Sequence, residues 1–383
     1  MEHRLTRRDF VKSLTVGLAS ASVLSVFGNS VSGSENKGNA MEDDNLYFIQ
    51  TVRGRIKPSQ LGLTLIHEHI MVDFIGADKV SKDRYDVDEV FDVMLPYLKE
   101  IKALGVTGFG ECTPMFLARD PGLLARLAEA VDMHIITNTG MYKEPYIPEY
   151  AFQRSADELA QMWTTEMEKG IEDTGIKPGF IKIAVNPGNL IPVQQKIVRA
   201  AAKTSLSTGL TIAAHTGHGI AAMETMDILE QEGVSLSKYI FVHAGSEQNQ
   251  EHHFRTAERG AWVEYDHIKK ADANRSVQLI KAMLEKGYED NLLLSQDSGW
   301  YNVGQPNGGN INGFAYIVKE FAPLMNQSGI DQNTIDKIMI ANPARALGIP
   351  ITSEDTKNVG PEGKAISTFG RMKIPAKGEG TAK

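Results

Sequence analysis

Three observations predict an α/β fold, a single (β/α)8 TIM barrel. Eight short, apolar, β-rich runs recur between residues 64 and 297 of the 383-residue chain. Stretches with helical periodicity separate them, and most of these helices end on a glycine. Finally, no G-x-G-x-x-G opens a helix after the first run, so a closed barrel of about 250 residues fits better than an open doubly wound sheet.

The first element lies outside that repeat. "TRRDFVKSLTVGLASASVLSVFG" pairs Arg7 with Arg8 and continues into an apolar run from Leu14 to Phe27. Residues 1–33 resemble a twin-arginine export signal, so the export machinery is an expected partner and the periplasm the expected location. The run is short and Ser/Gly-rich for a spanning helix, and no stable membrane span is expected in the mature form. Residues 34–45, including "SENKGNAMEDD", read as a polar linker.

The catalytic domain is expected over residues 46–350. Its strands are "TLIHEHI", "VTGFGECTP", "HIITNTGMY", "FIKIAVN", "TIAAHTG", "YIFVHAG", "AWVEYDHI" and "NLLLSQD". Helical stretches such as "EVFDVMLPYLKEIKALG" and "SVQLIKAMLEKGY" alternate with them, with Gly105, Gly209, Gly233, Gly260 and Gly287 in the C-cap role. Strand, helix and glycine in repetition argue for βαβ units and a parallel sheet. Residues 351–383 lose the repeat and read as a tail.

Composition narrows the chemistry. A formal charge of −8 argues against nucleic acid as a partner. The one cysteine, Cys112, excludes an internal disulfide and a thiolate metal cluster, and reads as a small core residue. A metal site here must use histidine, carboxylates or unusual ligands.

Such side chains gather at strand ends. His67 and His69 are two apart on strand one and share a face; His215, His243 and Asp297 end strands five, six and eight. Lys182 sits inside the apolar "GFIKIAVN", on the face shared by Phe180 and Ala184, where an unpartnered ammonium is costly. In a barrel the carboxyl ends of all strands converge on one rim, so four histidines, an aspartate and a buried lysine there point to a metal site.

"HEH", "IKIA", "AAHTG", "VHAG", "SQD" and the later "NPARAL" resemble, in this order, the phosphotriesterase family of the amidohydrolase superfamily. The resemblance implies that Lys182 is carbamylated by carbon dioxide and bridges two divalent ions, zinc first, with manganese or cobalt as alternatives. It implies that His67, His69 and Asp297 hold the more buried ion and that His215 and His243 hold the other. A metal-bridging hydroxide would attack a lactone or ester carbonyl, or a phosphotriester, with Asp297 taking its proton and Tyr142 helping to hold the oxyanion. The expected partner is a small ester or lactone, the lactone being favoured because Tyr142 resembles a tyrosine of the lactonase branch. The alternative outside enzymology is an exported barrel that binds metal or carbohydrate without catalysis. Relatives are often dimers, so a homodimer is an expectation too.

Further candidates surround this set. Asp266 and His267 close strand seven and are candidates for substrate contact, and Trp300 is a candidate wall of an apolar pocket. Glu111 could hydrogen-bond a ligand histidine or serve structure alone. His134 belongs at the opposite rim, His218 could serve either way, His252 and His253 read as solvated, and Arg275 as a surface or capping charge.

Overall fold

The computed structural model describes residues 44–352. The expected signal, the linker up to residue 43 and the tail from residue 353 lie outside the described residues.

Among the described residues thirteen strands appear in chain order: β1 (Tyr47–Thr51), β2 (Gly54–Ile56), β3 (Thr64–Val72), β4 (Gly108–Glu111), β5 (His134–Ile136), β6 (Asn138–Met141), β7 (Phe180–Ala184), β8 (Ile212–His215), β9 (Tyr239–Val242), β10 (Trp262–Tyr265), β11 (Leu292–Leu294), β12 (Gly299–Asn302) and β13 (Ile349–Pro350). One parallel sheet runs β11-β10-β9-β8-β7-β6 and a second runs β12-β3-β4-β5. β5 and β6 are two pieces of one barrel strand broken at Thr137, and β11 and β12 two pieces of another, so the sheets make eight barrel positions. The eighth position joins the ring: β11 pairs with β10 and β12 with β3, while Asp297 N–H donates to His67 O at 3.1 Å.

Helices including Val87–Ala103, Pro121–Val131, Ala156–Lys169, Pro192–Thr208 and Ala273–Glu285 connect the strands. Gly105, Gly209, Gly233, Gly260 and Gly287 have φ between 75° and 92°, the left-handed conformation that terminates a helix cheaply only for glycine. Alternation along β7 divides two layers. Ile181 and Ile183 pack outward with Val198, Ala201 and Leu159, whereas Phe180 joins an inner cluster with Ile66, Ile136, Ala213, Ile240, Trp262 and Leu293.

The inner cluster occupies one end of the barrel. Ile49 of β1, Leu61, Ala346 and Leu347 close it there, and Thr211 Oγ1 donates to Ala346 O at 2.5 Å. "NPARAL" belongs to this closure: Asn342 Nδ2 donates to Glu289 O and Leu292 O, each at 2.8 Å. Two glycines allow strands to meet at the other end. A Cβ on Gly140 (φ 105°) would lie 2.3 Å from Lys182 O, and one on Gly299 (φ 96°) would lie 1.8 Å from His69 O.

Candidate metal centre

Lys182 lies one strand position above the apolar plug, with 1% of its surface exposed. Among the described residues its ammonium meets one hydrogen-bond partner, His67 Nε2 at 3.2 Å, and forms no carboxylate ion pair. A salt-bridged lysine is therefore not what the barrel holds.

His67 is oriented from behind. Its Nδ1–H donates to Glu264 Oε1 at 2.6 Å, with Asp266 Oδ2 at 3.3 Å, which leaves Nε2 as a bare lone pair facing Lys182. Burial, reinforced by the Lys182 charge, lowers the His67 pKa to about 3, so the ring is neutral as a metal ligand must be. His215 is held well below the usual range, again by burial first and then by the neighbouring cations.

His69 supplies the sharpest argument for a cation. The Thr113 hydroxyl gives its proton to Met71 O at 2.9 Å, so it must accept from His69 Nδ1–H at 2.8 Å. His69 Nε2 faces Asp297 Oδ1 at 3.0 Å, and among the described residues that buried oxygen has no other partner within hydrogen-bond reach. An imidazole nitrogen and a carboxylate oxygen are held this close inside a protein only with a positive centre between them, a proton or a metal ion. The donor set of imidazoles and carboxylate suits a divalent ion of the zinc type.

The other two histidines converge similarly. His243 has a left-handed backbone (φ 61°); its N–H and Nδ1–H donate to the two oxygens of Asp266 at 2.9 and 2.8 Å. Its Nε2 then lies 2.7 Å from His215 Nδ1, beside Tyr142 Oη at 3.1 Å from the same nitrogen. Ligand atoms of His67, His243 and Asp297 lie within 4.8 Å of one another, which links the two groups. All six expected ligand positions thus form one contiguous cluster.

Around them, Asp297 uses its second oxygen. Oδ2 accepts from His267 Nε2 at 2.8 Å, and His267 Nδ1 lies 3.1 Å from Asp266 Oδ1. Burial alone would lower the His267 pKa, but these two carboxylates push it up to about 10. Burial alone would raise the Asp297 carboxyl, and the bond from His267 with the nearby imidazoles holds it well below the usual range.

Two candidates lie elsewhere than expected, and the others take definite places. Asp266, one of two candidates for substrate contact with His267, has its side chain fully buried beneath His67, His243 and His267, which it orients. His253 was expected in solvent; it is fully buried and its Nδ1 pairs with Tyr265 Oη at 3.0 Å. Arg275 is a surface and capping charge, as expected: it is exposed and donates to Gly245 O at 2.7 Å in the loop that follows His243. Glu111 contacts no ligand histidine directly; it accepts from Ile70 N and Thr113 N, and so steadies His69 through Thr113. His218 lies off the centre, accepting from Gly188 N at 3.1 Å. Cys112 is buried and His134 opens β5 at the plugged end, as expected.

Aromatic rings line the mouth. The Trp300 ring lies 4.9 Å from that of His69 and 5.7 Å, stacked, from that of Phe74; Phe74 lies 5.2 Å from Tyr146, and Tyr146 lies 6.1 Å from Tyr142. Trp300 Nε1 spends its proton on Asp297 O at 2.8 Å, so the indole offers the cavity only carbon. The sequence reading missed Glu68, Thr113, Glu264 and Phe74. Glu264 alone had a readable signal, since it lies two residues before Asp266 on the same strand face.

A parallel barrel with convergent imidazoles and carboxylates at its open rim defines a metal-dependent hydrolase. Comparison with known proteins agrees: the model of the phosphotriesterase family matches residues 47–347, and the chain belongs to that family. Its members use two divalent metals. The chain is similar to the "Phosphotriesterase homology protein" of Escherichia coli K12, 27% identical over 288 residues that cover 74% of this chain and 97% of the relative. It is similar to the "Aryldialkylphosphatase" of Saccharolobus solfataricus, 26% identical over 303 residues, 76% of this chain and 96% of that one. It is also similar to human "N-acetyltaurine hydrolase", 26% identical over 341 residues, 78% of this chain and 97% of that one.

Proposed function

We propose that this hydrolase opens lactones or carboxylic esters that carry an apolar substituent. The observation that carries the reading is the divided use of Asp297, one oxygen facing the ligand histidines and the other bonded to His267 at the exposed rim. When bound, a pair of divalent cations lowers the pKa of a shared water and polarises the electrophile. His67, His69 and Asp297 would hold one ion and His215 and His243 the other, with carbamylated Lys182 between them. A carbamate at Lys182 replaces an unpaired buried cation by an anion facing cations, which removes the desolvation problem.

The residues then divide the proton work. Asp297 accepts the proton of the attacking water and returns it to the leaving oxygen, and His267 connects that carboxylate to solvent. Tyr142 Oη, protonated because burial pushes its pKa above the ordinary phenol value, is placed beside His215 to donate to the carbonyl oxygen as charge develops there. Phe74, Tyr146 and the carbon face of Trp300 favour an apolar substituent over a sugar. Phosphotriester hydrolysis is the second reading, favoured by the name of the Saccharolobus relative. The proposal keeps export by the twin-arginine route, on Arg7 and Arg8.

The test is a panel of alkyl lactones, sugar lactones, aryl esters, phosphotriesters and N-acyl amides, followed by proton release on zinc- or manganese-loaded protein with bicarbonate. Turnover should be fastest on alkyl lactones. A loaded protein with two metals and no turnover on any member of the panel would contradict the reading.

A further inference from the structure

The middle residue of "HEH" points away from the metal ligands on either side of it, and it is fully buried. Glu68 Oε1 accepts from Gln296 N at 3.1 Å and from Ser295 Oγ at 2.9 Å, while Oε2 accepts from Ser298 N at 2.7 Å. The two backbone donors flank Asp297. Between them Asp297 has φ 51°, a left-handed conformation that a non-glycine residue keeps only where its surroundings impose it. Successive amides around such a residue form an anion-binding hollow, and here the chain's own carboxylate fills it.

The same staple reaches strand β3. Ser295 Oγ, while donating to Glu68, accepts from His67 N at 2.9 Å, and His69 N donates to Ser298 O at 2.9 Å. The residues on both sides of Asp297 are thereby fastened to the backbone of His67 and His69. Three side chains that face one cation site are held in register through one carboxylate that never touches that site.

We propose that Glu68 is a positioning residue for the metal centre: by filling the hollow around Asp297, it fixes the left-handed turn that aims Oδ1 at the His67 and His69 nitrogens and Oδ2 at His267. This rests on the reading of these residues as metal ligands. The substitution Glu68→Gln keeps the volume but offers one acceptor where two backbone donors must be met, so the turn loses a bond on one side.

The experiment compares wild type, Glu68→Gln and Ser295→Ala, each purified with zinc. Chelator competition should show one of two metal equivalents weakened by about 10- to 100-fold in Glu68→Gln and the other unchanged. The visible spectrum of the cobalt-substituted protein should change for that one site, and kcat should fall with KM held within about twofold, because the substrate-contacting rings are untouched. Ser295→Ala leaves the carboxylate and both amides in place; it should show the same signature at smaller amplitude, and it decides the matter if Glu68→Gln does not fold. Wild-type metal affinity, cobalt spectrum and kcat in folded Glu68→Gln, or in Ser295→Ala where that is the variant available, would overturn the proposal. Wild type that binds no metal would instead overturn the ligand assignment beneath it.

Discussion

The two ends of the barrel interior are built from the same strands and could hardly differ more. At the plugged end Phe180, Ala213, Ile240, Trp262 and Leu293 meet Ile49 and Leu347 in an apolar cluster. Two to four residues further along the chain from these come Lys182, His215, His243, Glu264 and Asp297, equally shielded from water for the most part. The lower cluster needs only volume, since apolar burial is non-directional. The upper one needs a partner for every lone pair, and His69 Nε2 and Asp297 Oδ1 show where the protein's own atoms stop supplying one. The difference teaches that the plugged end provides stability and the open end spends some of it on a site prepared for cations.

Breaking the open end should have the largest effect, and it should be on rate. Asp297→Asn keeps the shape but cannot take up a proton at neutral pH, so kcat should fall by roughly 100- to 10,000-fold, while the thermal midpoint of the metal-free protein drops only by the share that the His267 ion pair contributes. Steady-state kinetics and calorimetry on the same preparation read both halves of that statement.

The plugged end should respond in the opposite sense. Trp262→Ala removes a ring that is 4% exposed, at a cost of about 3–5 kcal/mol in unfolding free energy. Per folded molecule, as counted by bound metal, its kcat should be within about twofold of wild type because no reacting group is touched. Denaturant unfolding with metal-normalised kinetics measures it.

A smaller effect sharpens the boundary between the two. The His267 pKa is raised in the folded protein to about 10 by Asp266 and Asp297, against an unfolded value near 6.5. A raised histidine contributes stability that is fully present below the unfolded value and is lost as pH rises through about 10. Metal-free wild type should therefore lose more of its thermal midpoint than His267→Gln between pH 7 and pH 10.5. Equal losses would mean that His267 does not hold its proton against these carboxylates.

Much of this was legible before any coordinates. The barrel followed from eight apolar runs, and His67, His69, His215, His243, Lys182 and Asp297 could be grouped because a parallel barrel brings strand ends to one rim. The support beneath them was not legible, for a local reason in each case. Alternation correctly turns Glu68 away from the histidines, but what it meets is the turn at Gln296–Ser298, as far as 230 residues along the chain. Asp266 looked like a rim residue until the left-handed His267 (φ 54°) bent the chain outward and left Asp266 beneath the imidazoles. His253 sits in a helix of eight residues, Glu251–Glu258, too short for periodicity to show that Phe241 and Tyr265 enclose it.

The central claim is that the buried amine of Lys182 becomes an acid group and tethers a metal pair. The most direct measurement supplies 13C-bicarbonate and zinc to metal-free wild type and to Lys182→Ala, then records the carbon resonance and the bound metal. Wild type should show one protein-bound carbamate signal and two equivalents of zinc, and Lys182→Ala should lack the signal and hold at most one. Two tightly held equivalents and full turnover in Lys182→Ala, with no carbamate signal in wild type, would contradict the account.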